Sequence, residues 1–320
     1  MEYRKLGKSG IKVSAISLGA WLTYGSSRIE EDNAIACIRR AIEKEINFID
    51  VADMYSYGRG EEIVGRAVKP FKRSDLVIST KAYWPMSQNV NDRGLSRKHI
   101  TESVNKSLKR FDMEYVDIFF CHRYDPETPV EETVRAIEDL IHQGKVLYWG
   151  TSMWTAANLD EAAQVVSDIN ANRPIVEQPL YNMLDRGVVE GDLEAAVARH
   201  GMGLVVWSPL AQGVLTGKYN NGIPDDSRAR SVDMEWFKSQ ITEERLTKAR
   251  GITALAAELG TTPAALAIAW TLKNPHVSSA ITGATKLSHI DDNLKALEVQ
   301  ITDEIDARIE AILGGSPVEA

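Results

Sequence analysis

The chain alternates short, almost wholly apolar runs with longer amphipathic stretches, and this alternation repeats eight times along its 320 residues. The runs are Ala15–Gly19, Asn47–Asp50, Leu76–Thr80, Val116–Phe120, Val146–Trp149, Pro174–Gln178, Gly203–Trp207 and Val277–Ile281. Most are too apolar to keep one wet face, which suits parallel strands covered on both sides by helices. Helical periodicity fills the gaps at Glu31–Glu45, Glu61–Val68, Arg97–Phe111, Val130–Gln143, Ala156–Ile169 and Gly191–His200. Eight such units without a break in composition predict one (β/α)8 TIM barrel, a single domain over residues 1–320. A doubly wound sheet is the rival. It would carry G-x-G-x-x-G after its first strand, whereas Gly19 is followed by Ala20-Trp21-Leu22-Thr23-Tyr24-Gly25. Tyr3–Val13, turning at Gly7-Lys8-Ser9-Gly10, reads as an N-terminal β-hairpin that closes the barrel's lower end. Glu243–Leu259 and Asp303–Leu313 read as extra C-terminal helices.

The formal charge of −8 excludes a global attraction to nucleic acid or anionic lipid. Cys37 and Cys121 lack CxxC spacing and read as buried free thiols of a reducing compartment. No apolar run reaches the length of a membrane span, and Met1–Lys5 is charged, unlike a signal peptide. The expectation is a soluble, cytoplasmic protein.

Active sites of such barrels gather at the C-terminal ends of the strands. Asp50 ends the second run and Tyr55 follows it; Lys81, His122, Ser152 and Gln178 end the next four, and Trp207-Ser208 the seventh. Taken singly, an Asp there caps a loop, a Lys is a solvated charge and a His is structural. Together on one rim, with Tyr55, they make a set suited to carbonyl reduction. An ammonium from Lys81 lowers the pKa of the Tyr55 hydroxyl, Asp50 holds that ammonium, and neutral His122 orients the carbonyl oxygen. Histidine and cysteine spacings give no metal site, and no G-x-S-x-G elbow is present. A Schiff-base aldolase using Lys81 is the alternative that the fold allows.

These residues resemble a known family. Asn47–Tyr55, Ile78–Lys81 and Asp117–His122 are similar to the segments that carry the catalytic Asp, Tyr, Lys and His of the aldo-keto reductases. Gly94–Ile100, Thr128–Ala136, Tyr148–Ser152, Trp207–Gly213 and Gly217-Lys218-Tyr219 resemble one branch: the β subunits of voltage-gated potassium channels and their microbial relatives. The resemblance implies an NADP(H)-dependent reductase of aldehydes or ketones, with the cofactor extended across the barrel mouth. It implies that Trp21 and Asp50 flank the nicotinamide end, Ser152 and Gln178 bind its carboxamide, and Trp207 stacks on its ring. Ser208, Leu210 and Gln212 would follow the pyrophosphate under Lys218 and Arg228. Gly283, Thr285, His289, Asp292 and Asn293 would hold the adenosine end. Trp21, Tyr55, Trp84 and His122 would line the substrate pocket.

The resemblance further implies a homotetramer, and as an alternative function a cofactor-sensing regulatory subunit docked on a membrane channel. Three positions depart from the pattern. His122 stands where the channel subunits have Asn, Met153 where they have Arg, and His289 where many NADP-specific members have Arg.

Overall fold

The computed structural model describes residues 1–21, 24, 25, 29–225, 227, 229 and 239–314, with Arg228 outside them. Two short strands, β1 (Tyr3–Lys5) and β2 (Lys12–Ser14), pair antiparallel. Eight parallel strands follow and close on themselves: β3 (Ile16–Gly19), β4 (Phe48–Asp50), β5 (Val77–Ala82), β6 (Val116–Cys121), β7 (Val146–Ser152), β8 (Val176–Gln178), β9 (Gly203–Trp207) and β10 (Val277–Thr282). They pair in sequence order, with β10 completing the ring against β3. The expected (β/α)8 barrel with its N-terminal hairpin is therefore the observed fold.

Helices α1 (Glu31–Glu43), α2 (Arg59–Val68), α3 (Arg97–Phe111), α4 (Val130–His142), α5 (Ala156–Ile169) and α6 (Asp192–His200) lie between successive strands. After β9 come α7 (Glu243–Glu258) and α8 (Pro263–Lys273); after β10 come α9 (Leu287–Leu294) and α10 (Asp303–Leu313). Sequence reasoning missed α8. Its residues Ala265–Leu272 are all buried, so it has no polar face and gives no 3.6-residue contrast. Thr262 caps it by accepting from the Ala265 amide at 3.1 Å, and Pro263 sits where its missing N–H costs nothing. Several boundaries also move, the fifth barrel strand running on to Ser152 and the third to Ala82. The sixth barrel strand begins at Val176, because Pro174 has no amide to give the ladder. The helix expected from Glu61 begins at Arg59.

Two buried clusters show which way the strands face. Phe48, Val77, Ile118, Phe120, Val176, Val205 and Ile281 pack inside the barrel, together with Leu6 and Val13 of the hairpin segment. The alternate residues, including Ile49, Ile78, Phe119, Leu204 and Val206, belong to the larger core shared with the helices. Leu6 and Val13 are fully buried and plug the lower end as expected. Arg4 fastens the plug by donating to the Leu272 and Val277 carbonyls at 2.9 and 2.8 Å, and Ser278 donates to the Lys5 carbonyl at 2.8 Å.

The inner layer leaves little room for extra atoms. A Cβ on Gly150 would fall 2.4 Å from the Val176 side chain and 2.5 Å from its carbonyl oxygen, so only glycine fits beside Phe120 there. Among the described residues no single helix is long and apolar enough to cross a membrane.

Candidate active site

Strand pleating lifts the polar set onto one rim. Two residues beyond the inward-facing Phe48, Phe120, Val176 and Val205 come Asp50, His122, Gln178 and Trp207; four beyond Val77 and Tyr148 come Lys81 and Ser152. Each thus holds an inward-facing position above the apolar layer, with Ser79 and Gly150 between for Lys81 and Ser152.

The centre is a buried ion pair. Lys81 is wholly enclosed; its Nζ donates to Asp50 Oδ2 at 2.6 Å and to the Val51 carbonyl at 2.7 Å. The second Asp50 oxygen accepts from Ser79 Oγ at 2.8 Å and Gln178 Nε2 at 3.0 Å. Burial lowers the Lys81 pKa, and the Asp50 carboxylate opposes that shift. Enclosed charges persist only when paired and hydrogen-bonded in this way.

Tyr55 lies beside this pair, with Lys81 Nζ 5.2 Å from its ring centroid. It opens a 3-10 turn, Tyr55–Gly58, in which Ser56 and Tyr57 take left-handed φ values of 52° and 51°. Such strain in L-residues is held by its surroundings and concentrates at functional sites. The Tyr55 ring meets His122 edge-on at 5.9 Å, and Trp84 meets His122 at 6.4 Å. The four expected catalytic residues, with Trp84, therefore stand together.

One electrostatic expectation is corrected. The Tyr55 pKa lies well above the usual phenol value, raised first by burial and then by the Asp50 carboxylate. The Lys81 charge is balanced at short range by Asp50, and the Arg123 guanidinium only partly opposes the rise. His122 is pushed well below the usual imidazole value by burial, then by Lys81 and Arg123, and so is neutral at pH 7. Its Nδ1 is enclosed with no hydrogen-bond partner.

Behind the rim, Asp53 is buried, and its amide donates to the Lys81 carbonyl at 3.2 Å. Ser103 Oγ donates to Asp53 Oδ2 at 2.7 Å, while Oδ1 has no side-chain partner among the described residues. Burial, opposed by Ser103 and reinforced by Glu61, raises its pKa from 3.8 to about 7. The folded state thus holds a proton that the unfolded chain releases near pH 4, and this residue's contribution to stability falls as pH rises from about 4 to about 7. Asp53→Asn is expected to be more stable than the parent by a few kcal/mol at pH 8, with the gap closing towards pH 4. Urea denaturation across that range measures it; a gap independent of pH contradicts it.

The residues expected along the cofactor extend from this centre. Ser152 Oγ donates to the Gln178 carbonyl at 2.9 Å, and Trp21 meets Trp207 edge-on at 6.2 Å. Gln212 Nε2 donates to Ser208 Oγ at 2.6 Å, and Leu210 packs against the core. Ser208, Ala211, Gln212 and Gly213 all have positive φ. Lys218 lies over Gly213, where a Cβ would come within 2.6 Å of its Nζ.

At the end of β10, Gly283 and Thr285 are exposed, and the Thr285 amide donates to His289 Nδ1 at 3.4 Å. His289 is lowered by burial and then by the charges of Lys286 and Lys218, which places those cations close to it. Asn293 is buried, and Asp292 is paired with Lys295 at 2.7 Å.

Sequence reasoning missed three residues at this rim. Lys286 precedes α9 and faces His289. Arg123 follows His122, donates to its carbonyl at 2.5 Å and rests 5.5 Å over the Trp84 ring. Glu177 is fully buried behind Gln178, where burial, opposed by a hydrogen bond from Thr151, pushes its pKa up to about 8. The dipeptides His122-Arg123 and Glu177-Gln178 were the available signal, since each sets a second charged residue beside a strand-end polar one.

The model of the Aldo/keto reductase family matches residues 15–313. A probable voltage-gated potassium channel subunit beta of Oryza sativa subsp. japonica is 46% identical over 99% of this chain and 98% of its own length. A protein of the same description from Arabidopsis thaliana is also 46% identical over those shares. A putative voltage-gated potassium channel subunit beta of Schizosaccharomyces pombe is 44% identical over 100% of this chain and 95% of its own.

Proposed function

We propose, from the premise that this chain belongs to the aldo/keto reductase family, that it is an NADPH-dependent reductase of aldehydes or ketones. Members of the family are generally NAD(P)H-dependent oxidoreductases acting on small carbonyl compounds. The observation that carries the finer reading is the enclosed Lys81–Asp50 pair beneath a protonated Tyr55 and beside a neutral His122.

The donor set fits the cofactor. Trp207 offers a flat, half-buried face at one end. Left-handed φ at the non-glycine residues Ser208, Ala211 and Gln212 is strain of the kind kept where a ligand uses it. At the other end the charges of Lys286 and Lys218 both bear on His289, an electropositive setting that suits a 2′-phosphate. Gly213 must lack a side chain for Lys218 to lie where it does. The nicotinamide, when bound, supplies the hydride.

The chain's own part is to receive the charge that then develops on the carbonyl oxygen. Tyr55 keeps its proton through the neutral range, so it is loaded as an acid. As its proton moves to that oxygen, the forming phenolate gains the attraction of Lys81, which Asp50 keeps charged. This help is larger in the transition state than at rest, which is the condition for raising kcat. His122 can offer one N–H to the same oxygen and orient it. The turn at Ser56–Tyr57 holds the phenol in place, and Trp84 and Trp21 exclude water from the pocket.

The test is direct. Purified protein is expected to quench NADPH fluorescence on binding and to oxidise NADPH with 4-nitrobenzaldehyde or methylglyoxal. Absence of both effects overturns the reading. The relatives' names favour a second function, a regulatory subunit of a membrane channel, for which a tetramer and co-purification with a channel protein are the expected signs.

A further inference from the structure

We propose that Arg123 selects the substrate, and that the preferred carbonyl compound carries a carboxylate near its reacting group. This rests on the reductase reading above. The other charged groups of the catalytic cluster are balanced or neutral at pH 7. Lys81 is neutralised by Asp50 at 2.6 Å, and His122 is uncharged. Glu177, the carboxyl beside Arg123, takes hydrogen bonds from Thr151 and the Trp154 amide, and burial keeps it largely protonated. Among the described residues Arg123 enters no salt bridge.

Its position ties it to the reacting atoms. The guanidinium donates to the His122 carbonyl and lies 5.5 Å over the Trp84 ring, which itself meets His122 at 6.4 Å. Its charge favours the phenolate form of Tyr55 and disfavours protonation of His122. One Nη1 bond to His122 and the Trp84 face fix the plane of the guanidinium and leave further N–H groups to pair with an anion. A guanidinium matches a carboxylate with two parallel hydrogen bonds, and half-burial strengthens that pairing. A single cation balances a monoanion, which favours a carboxylate over a doubly charged phosphate ester. Such a contact exists in ground and transition states alike, so it acts mainly on KM.

The test compares matched pairs, 4-carboxybenzaldehyde with 4-nitrobenzaldehyde and glyoxylate with glycolaldehyde, in the parent, Arg123→Gln and Arg123→Lys. Arg123→Gln is expected to lower kcat/KM for a carboxylate member by about 30-fold, chiefly through KM. The neutral members should change less than about threefold, and Arg123→Lys should keep part of the preference. NADPH fluorescence quenching checks that each variant is folded and binds cofactor.

Equal losses for charged and neutral members would make Arg123 a support for His122 and Trp84, and overturn the proposal. So would a carboxylate member unaffected by Arg123→Gln. In either case the reductase reading stands, because the neutral aldehydes still turn over. A parent protein that oxidises NADPH with none of the four removes both.

Discussion

Tyr55→Phe is expected to lower kcat by about 10²–10⁴-fold, the usual contribution of a positioned general acid, while NADPH binding and folding persist. The ring stays, so its edge-on contact with His122 at 5.9 Å and its place beside Lys81 are kept. Only the hydroxyl is lost. Burial and Asp50 hold that hydroxyl protonated, so the parent enzyme is loaded at neutral pH and the variant has nothing to give the carbonyl oxygen. KM should move little, because the proton is transferred only as charge develops. Steady-state kinetics with 4-nitrobenzaldehyde, beside NADPH fluorescence titration, separate the two effects. A variant that turns over at the parent's rate removes Tyr55 from the role of acid.

Lys81→Met has the second large effect, and it falls on stability as well as rate. Removing the ammonium leaves Asp50, with Ser79 and Gln178 as its remaining donors, as an enclosed unpaired carboxylate. Breaking one side of a buried ion pair costs roughly 3–5 kcal/mol. The chemical denaturation midpoint should fall accordingly. Changing Asp50 to Asn in the same chain should recover much of that loss, because the stranded charge is then gone. Turnover should not return, since the double variant lacks the ammonium that stands beside the Tyr55 ring. Double-variant stability equal to that of Lys81→Met alone would show that the loss came from packing, not from charge.

The barrel was legible because its strands are covered on both faces and read as continuous apolar runs, as in Val116-Asp117-Ile118-Phe119-Phe120. The same burial hid α8: Pro-Ala-Ala-Leu-Ala-Ile-Ala-Trp-Thr-Leu-Lys has no polar stripe to betray its period. The rim residues were found by position, since Asp50, His122 and Gln178 each end a predicted strand. Position does not report electrostatic balance. Proximity of Lys81 to Tyr55 was expected to acidify the phenol, and burial of Tyr55, then the Asp50 carboxylate 2.6 Å from Lys81, act the other way.

Arg123 and Lys286 were missed for a related reason. Arg123 sits two residues beyond the end of β6 and Lys286 one before α9, where a charge ordinarily faces water. Their roles depend on which way a long side chain folds back, and that is a tertiary fact. Arg228, expected above the cofactor phosphates, lies outside the described residues.

The most direct measurement follows the hydrogen itself. NADPH deuterated at the transferring C4 position is given to the protein with 4-nitrobenzaldehyde, and the alcohol is analysed by mass spectrometry and NMR. The account predicts one deuterium on the carbinol carbon, delivered to a single face of the carbonyl, and almost none of that product from Tyr55→Phe. Alcohol formed without deuterium at that carbon, or NADPH left unoxidised by every carbonyl tried, would contradict it.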